Sequence, residues 1–106
     1  MSDGANERRL SEVLDRLTAK GYPDAFRGEP GGIVDLQNGV VHDPEDLWIE
    51  AVERFEGTSD PGDEAVVLAL ACRRHGCRGT YVLPYGESMS GIDAQLVVRI
   101  PDARRR

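Results

Sequence analysis

An uninterrupted apolar run, AVVLALAC at residues 65–72, constrains the fold of this chain more than any other feature. Such a run is typical of a central strand that other elements cover well. Residues 57–63, which combine two glycines with Pro61, predict a loop before it, and His75-Gly76 predicts a turn after it. Residues 79–86 are rich in β-forming side chains, so we expect a second strand that returns antiparallel to the first.

Apolar side chains recur at helical spacing near both ends of the chain. The N-terminal stripe predicts a helix over residues 7–20, which Gly21 and Pro23 end. The C-terminal stripe predicts a second helix, which Pro101 ends. The two stripes consist of Leu10, Val13, Leu14 and Leu17, and of Ile92, Leu96, Val97 and Ile100.

Two short β-branched segments flank an Asn38-Gly39 step, which predicts a hairpin over residues 33–41. Residues 43–56 are ambiguous. Asp43-Pro44 has the features of a helix start, and the apolar residues that follow share a helical face. Alternate apolar residues from position 47 to 51 also fit one face of a strand. Local rules alone favour the helix.

A chain of 106 residues can bury one core but not two. We therefore predict a single domain over residues 1–106, with frayed tails at 1–6 and 102–106. The fold class that the elements indicate is α+β, an antiparallel sheet of three to four strands with both terminal helices on one face. The chain lacks the roughly 20-residue apolar run of a membrane helix and an N-terminal signal core, so we expect a cytoplasmic protein.

Negative charge is concentrated in the middle of the chain. Residues 43–64 carry nine acids and one base, Arg54, so this stretch sums to −8 within a total of −6. Such a field repels phosphate backbones and attracts positive charge. We therefore expect a basic protein surface or a cationic small ligand as partner, and neither nucleic acid nor a membrane. A homodimer is compatible with this interpretation.

The string RFEGTSDPGDEAVV at residues 54–67, followed by Gly79 and Tyr85-Gly86, resembles a group of small bacterial proteins often labelled phosphoribosylpyrophosphate synthetase-like. Gly21-Tyr22 after the first helix also fits this group, and the likeness spans most of residues 10–100. In the group, the segment before RFEG looks like an extended strand that pairs with the strand after the acidic loop. The resemblance therefore implies a strand at 47–56, against the local preference for a helix.

The activity in that label has no support in the residues. Synthesis of phosphoribosyl diphosphate needs an ATP site and a loop that cradles a ribose phosphate. The chain has neither GxxxxGK[ST] nor a glycine-rich strand-to-helix turn, and its serines lack a G-x-S-x-G context. We therefore expect a non-catalytic protein, and not a genuine phosphoribosylpyrophosphate synthetase.

Acidic residues in and around the predicted 57–63 loop form the first candidate site. They could chelate a hard cation, although their spacing does not match an EF-hand, and a plain hairpin loop, in which Asp60 makes a side-chain turn and Pro61 presets φ, explains them better. Arg54 and Glu56 share one face of the predicted strand, which Tyr85 of the returning strand could join. We predict a ligand-binding surface formed by Arg54, Glu56, Asp60, Asp63, Glu64 and Tyr85.

Two cysteines and two histidines form a second candidate site. Cys72, His75 and Cys77 could bind zinc together with His42 if the 72–77 turn met the Asn38-Gly39 turn, as the two knuckles of a zinc ribbon do. The CxxxxC spacing is looser than that of a usual knuckle, and the chain has no second cysteine pair. We therefore expect no cofactor and no bound metal, with reduced thiols at both cysteines.

The function that fits these patterns best is a small binding or regulatory module that uses the acidic loop and the adjacent sheet face. Two alternatives stay open. One is a small metal-dependent enzyme that uses the carboxylates of the loop, and the other is a degenerate zinc-ribbon-like structural module. A ligand or metal ion that copurifies with the protein would discriminate among the three.

Overall fold

The computed structural model describes residues 2–55, 65–74, 76–84 and 90–105 of the chain. The fold is α+β, as predicted. In chain order its elements are helix α1 (Ser2–Ala19), strands β1 (Asp24–Glu29), β2 (Gly32–Asp35), β3 (Val41–His42), β4 (Leu47–Phe55), β5 (Ala65–Cys72) and β6 (Arg78–Pro84), and helix α2 (Gly91–Val97). Short 3₁₀ turns lie at Pro44–Asp46 and Ala103–Arg105. Among the described helices, none is long and apolar enough to cross a membrane.

Local rules explain several of these elements. Helix α1 ends just before Gly21, whose φ of 107° is accessible to glycine at little cost. The Asn38-Gly39 step lies between β2 and β3, which pair antiparallel, and β5 pairs antiparallel with β6. Residues 47–55 form a strand, as the resemblance implies, and the apparent helix start at Asp43-Pro44 is a single 3₁₀ turn.

The described strands form one six-stranded sheet in the order β3-β2-β1-β6-β5-β4. The prediction of three to four antiparallel strands is wrong, because β1 adds a strand that pairs parallel with β6. The sequence does not indicate β1, since its only apolar side chains are Ala25 and Phe26. The parallel pairing of β1 with β6, which we call the seam, joins two antiparallel units, β3-β2-β1 and β6-β5-β4.

An irregularity in β4 decides which of its residues face which core. The pairing of β4 with β5 shifts between Ile49 and Ala51, which indicates a β-bulge at Glu50. Ile49 and Val52 consequently contact one core, whereas Ala51 contacts the other. The expectation that alternate apolar residues from 47 to 51 share one face is therefore wrong for Ala51, because the extra residue reverses the alternation.

The two helices lie on opposite faces of the sheet, and the prediction of a shared face is wrong. Val67 and Ala69 of β5 pack with Leu17 of α1, whereas Leu68 and Leu70 pack with the α2 side. Successive side chains of a strand point to opposite faces. A strand that is apolar at every position therefore needs cover on both, and one helix supplies each. We call the face beneath α2 the inner face.

The sheet curls around its inner face. Only the residues 43–46 connect His42, at the end of β3, to Leu47, at the start of β4, although these strands are the two edges of the sheet. Five residue steps span at most about 18 Å. The edges of six flat strands would lie about 24 Å apart. The curl closes this gap, and it allows side chains from distant strands to meet on the inner face.

Candidate metal centre

Three potential metal ligands meet on the inner face. The Sγ atoms of Cys72 and Cys77 and a ring nitrogen of His42 all lie within 4.8 Å of one another. Nδ1 of His42 lies 3.6 Å from Sγ of Cys72, and Nε2 of His42 lies 3.8 Å from Sγ of Cys77. We call these three residues the Cys₂His cluster.

The β5–β6 hairpin positions the two thiols. Cys72 is the last residue of β5, and Cys77 directly precedes β6. The backbone N–H of Cys72 donates to the carbonyl oxygen of Cys77 at 2.7 Å, which closes the end of the hairpin. Gly76 has a φ of 71°, a backbone conformation that would be strained in a residue with a side chain. Because opposed residues of antiparallel strands point to one face, both thiols reach the inner face.

The curl of the sheet brings His42 to the thiols. His42 lies opposite Ile33 in the short β2–β3 pairing. The turn before β3 is fixed by Asn38, whose Oδ1 accepts a hydrogen bond from the N–H of Val40 at 2.9 Å. The ring of Phe26 meets the imidazole edge-on at a centroid distance of 6.1 Å. A tight turn and an aromatic neighbour therefore fix the position of the imidazole.

Burial distinguishes the three members of the cluster. Cys72 and His42 are only 6% and 5% exposed, whereas Cys77 is half-buried, and neither cysteine forms a disulfide with a described residue. Burial, followed by the neighbouring Cys72 thiol and the Asp35 and Asp24 carboxyls, raises the pKa of Cys77 to about 12. At neutral pH Cys77 is thus a protonated thiol, and a metal ion must displace this proton in order to bind.

A pair of carboxyls, Asp24 and Asp35, lies close enough to Cys77 to affect its thiol. Asp35 is fully buried, and its Oδ1 accepts a hydrogen bond from the N–H of Gln37 at 2.8 Å. Burial, and then the hydrogen bond with Asp35, raise the pKa of Asp24. A protonated Asp24 is the group that can satisfy Oδ2 of Asp35, which otherwise has no donor in the described part of the chain.

The donor atoms of the cluster suit a soft or borderline transition metal. Two thiolates and an imidazole favour Zn²⁺ or Cu(I), whereas Mg²⁺ and Ca²⁺ prefer oxygen ligands. Zn–S bonds near 2.3 Å and Zn–N bonds near 2.0 Å place tetrahedral S and N ligands about 3.5 Å apart. The S···N distances of 3.6 and 3.8 Å are close to this value. They involve different ring nitrogens, so the imidazole must rotate for one nitrogen to bind the ion.

The structure describes one member of the predicted ligand-binding surface, Arg54. Its side chain is exposed, and it lies opposite Val66 in the β4–β5 pairing. The remaining members lie outside the described residues: Glu56, Asp60, Asp63, Glu64 and Tyr85. The acidic binding surface therefore stays a prediction. His75, the fourth candidate zinc ligand, also lies outside the described residues.

Sequence reasoning names all three residues of the Cys₂His cluster but disfavours metal binding, because the chain lacks a second cysteine pair. The structure brings a single histidine, His42, to the cysteine pair through the curl of the sheet, so no second knuckle is needed. Sequence reasoning misses Asp24 and Asp35 altogether. Their only signal is an acid at an inward-facing position in β1 and in β2, which cannot be recognised until the register of the strands is known.

No protein-family model, no curated protein and no solved structure matches this chain. The resemblance to the phosphoribosylpyrophosphate synthetase-like group therefore stays a prediction. Any conclusion about function has to come from the geometry of the Cys₂His cluster.

Proposed function

We propose that this protein is a small, non-catalytic metal-binding module that holds one Zn²⁺ ion through His42, Cys72 and Cys77. The observation that carries the proposal is the convergence of three donor atoms within 4.8 Å. His42 is 30 residues from Cys72 and 35 residues from Cys77 in the sequence. The sheet has to curl to bring these side chains together, and their donor set is one that Zn²⁺ prefers.

The surroundings of the cluster support the proposal. The inner core around it is apolar, with Ile33 and Leu47 fully buried beside Phe26. An imidazole and two thiols in such a place lose hydration, and sulfur forms only weak hydrogen bonds. A metal ion would bind all three groups at once. Two thiolates and a neutral imidazole would also neutralise Zn²⁺, so the bound ion adds no net charge to the core.

A bound ion would connect the two halves of the fold. His42 belongs to the unit β3-β2-β1, whereas both cysteines belong to the unit β6-β5-β4. The ion would therefore cross-link the units on the inner face, in addition to the backbone hydrogen bonds of the seam. A ligand that binds only the folded state stabilises it by about 2.7 kcal/mol at a free concentration of 100 times Kd. The stability of the domain would thus respond to zinc.

Competition between the reduced protein and a chromophoric zinc chelator tests this function. We expect one Zn²⁺ per chain, and we expect Zn²⁺ at 100 times Kd to raise Tm by about 10 °C. His42→Gln and Cys77→Ser should each weaken zinc binding by at least about tenfold. Mg²⁺ and Ca²⁺ should leave the Tm of the wild type unchanged, because the cluster offers no oxygen ligand.

Arg73→Ala is the matched control for these variants. Arg73 follows Cys72, and its guanidinium lies 4.7 Å from the ring centroid of Trp48, so the substitution perturbs the same hairpin without removing a donor atom. Its zinc affinity should equal that of the wild type. The proposal is wrong if the folded wild type takes up no zinc, or if Cys77→Ser binds zinc as tightly as the wild type does.

A further inference from the structure

The Cys₂His cluster supplies three ligands, although tetrahedral zinc takes four. Structural zinc sites fill all four positions with protein side chains, whereas sites that react keep one position for water or substrate. Among the described residues, no fourth His, Cys, Asp or Glu places a ligand atom in the cluster. The buried Asp35 is not part of it: Oδ1 of Asp35 accepts a hydrogen bond from the N–H of Gln37, and neither carboxyl oxygen lies within 4.8 Å of all three donor atoms.

A cavity of about 180 Å³ adjoins the cluster, lined by Asn38, Val40, His42 and Cys77. Two of the three ligands therefore form part of its wall. The remaining wall comes from the turn between β2 and β3, where Val40 is 42% exposed, so the cavity opens to solvent. Its volume is well above what a single water molecule requires. A small molecule can thus approach the cluster from the side of this turn.

The chemistry of the cluster restricts what such a molecule is. A metal held by two thiolates favours a further soft donor over a carboxylate or a phosphate. Val40 offers an apolar surface for a short aliphatic chain, and Asn38 offers an amide to its polar end. A small thiol with a neutral polar end fits these conditions.

We infer that a zinc ion in this cluster keeps one exchangeable coordination position on the cavity side, which water occupies at rest and a low-molecular-weight thiol takes as a ligand. On binding, the thiol would lose its proton to solvent, its sulfur would bond to the metal as a thiolate, and the water would leave. The inference rests on the proposed zinc site. It makes that site a receptor for a thiol and not solely a structural cross-link.

Cobalt substitution makes the fourth position visible, because Co²⁺ commonly replaces Zn²⁺ and its absorption spectrum reports the ligands. The Co²⁺-loaded protein is titrated with 2-mercaptoethanol, and the sulfur-to-cobalt charge-transfer band is followed. We expect a saturable increase in this band, while gel filtration shows that the metal stays bound. Val40→Trp, which fills the cavity from an exposed turn, should weaken the response to thiol by at least about tenfold and leave Co²⁺ affinity unchanged.

The outcomes separate this inference from the proposed function. If Co²⁺ binds but the thiol leaves the spectrum unchanged or strips the metal, the inference is wrong and the proposed function stands. If neither Co²⁺ nor Zn²⁺ binds, the proposed function itself fails. His75→Ala tests whether the chain supplies the fourth ligand. Its Co²⁺ spectrum should equal that of the wild type. A changed spectrum would show that His75 is a ligand, and the inference of an exchangeable position would then be wrong.

Discussion

Replacement of Gly79 by alanine should separate the two halves of the sheet. A Cβ at residue 79 would lie 2.7 Å from the carbonyl carbon of Asp24 and 2.9 Å from its Cβ, with the carbonyl oxygen closer still. Ordinary contact begins at 3.4 Å, so the backbone of β1 would have to retreat by at least about 0.7 Å. Asp24 and Gly79 are registered partners in the seam, so neither can turn away without moving its strand.

The cost follows from the hydrogen bonds of the seam. An N···O distance of about 2.9 Å that lengthens by 0.7 Å reaches about 3.6 Å, which is no longer a hydrogen bond. The seam has three registered pairs. Loss of two of its bonds, at about 0.5–1.5 kcal/mol each, together with the burial of the released groups, should cost about 2–4 kcal/mol. For a domain of this size, the midpoint of urea unfolding should fall by about 2 M.

Zinc affinity should fall in the same variant, although no ligand changes. His42 lies on one side of the seam, and Cys72 and Cys77 lie on the other. When β1 moves away from β6, the imidazole moves away from the thiols. We expect Gly79→Ala to bind zinc about tenfold more weakly than the wild type, measured by chelator competition without urea, where the variant is folded.

Gly91→Ala is the matched control for this substitution. Gly91 begins α2 with an ordinary φ, and a Cβ there would meet nothing within 4 Å. Alanine favours the helix, so the unfolding midpoint should stay the same or rise slightly. If Gly79→Ala retains the wild-type midpoint, the seam does not depend on glycine. If the midpoint falls but zinc affinity does not, the seam does not position the cluster.

Three further predictions address other parts of the fold. Leu17→Ala, on the α1 face, should cost about 2–5 kcal/mol in urea unfolding and leave the zinc affinity of the folded protein unchanged, because Leu17 is buried on the face opposite the cluster. Ser90→Ala removes the oxygen that accepts from the N–H of Asp93 and should lower Tm by about 4–8 °C in calorimetry. Burial and Asp93 raise the pKa of Tyr81. The stability from its protonated phenol is therefore complete below about pH 10 and is lost as the pH rises further, and Tyr81→Phe should flatten this alkaline decrease in Tm.

Much of the fold can be predicted from local sequence patterns, in which residues determine the conformation of the segment that contains them. The stripe of α1 and the Asn38-Gly39 turn are of this kind, and so is the apolar run of β5. Strand β1 is different, because its residues show no strong preference for a strand. It forms because Gly79 lets another strand approach it closely, and this is a property of the partner and not of residues 24–29.

Neither the bulge at Glu50 nor the placement of the helices can be predicted from residues that are close in the sequence, for the same reason. A run such as β5 shows that both faces are covered, but not which helix covers which face. The alternation of apolar residues in β4 predicts that Leu47, Ile49 and Ala51 face the same core. One extra residue in the strand turns Ala51 to the other face. Such choices are made by packing between elements that are distant in the sequence, and tertiary contacts override local preference.

The sequence names the three residues of the Cys₂His cluster but does not establish that they meet, because their meeting depends on strand register and not on spacing. Strand β3 has two residues, and a slip of one residue would turn His42 out to solvent and Val41 into the core. Two registered pairs provide little energy to prevent such a slip. A bond from the imidazole to a metal ion held by Cys72 and Cys77 would exist in one register alone. On the proposed function, the ion would thus select the register of the strand that carries its own ligand.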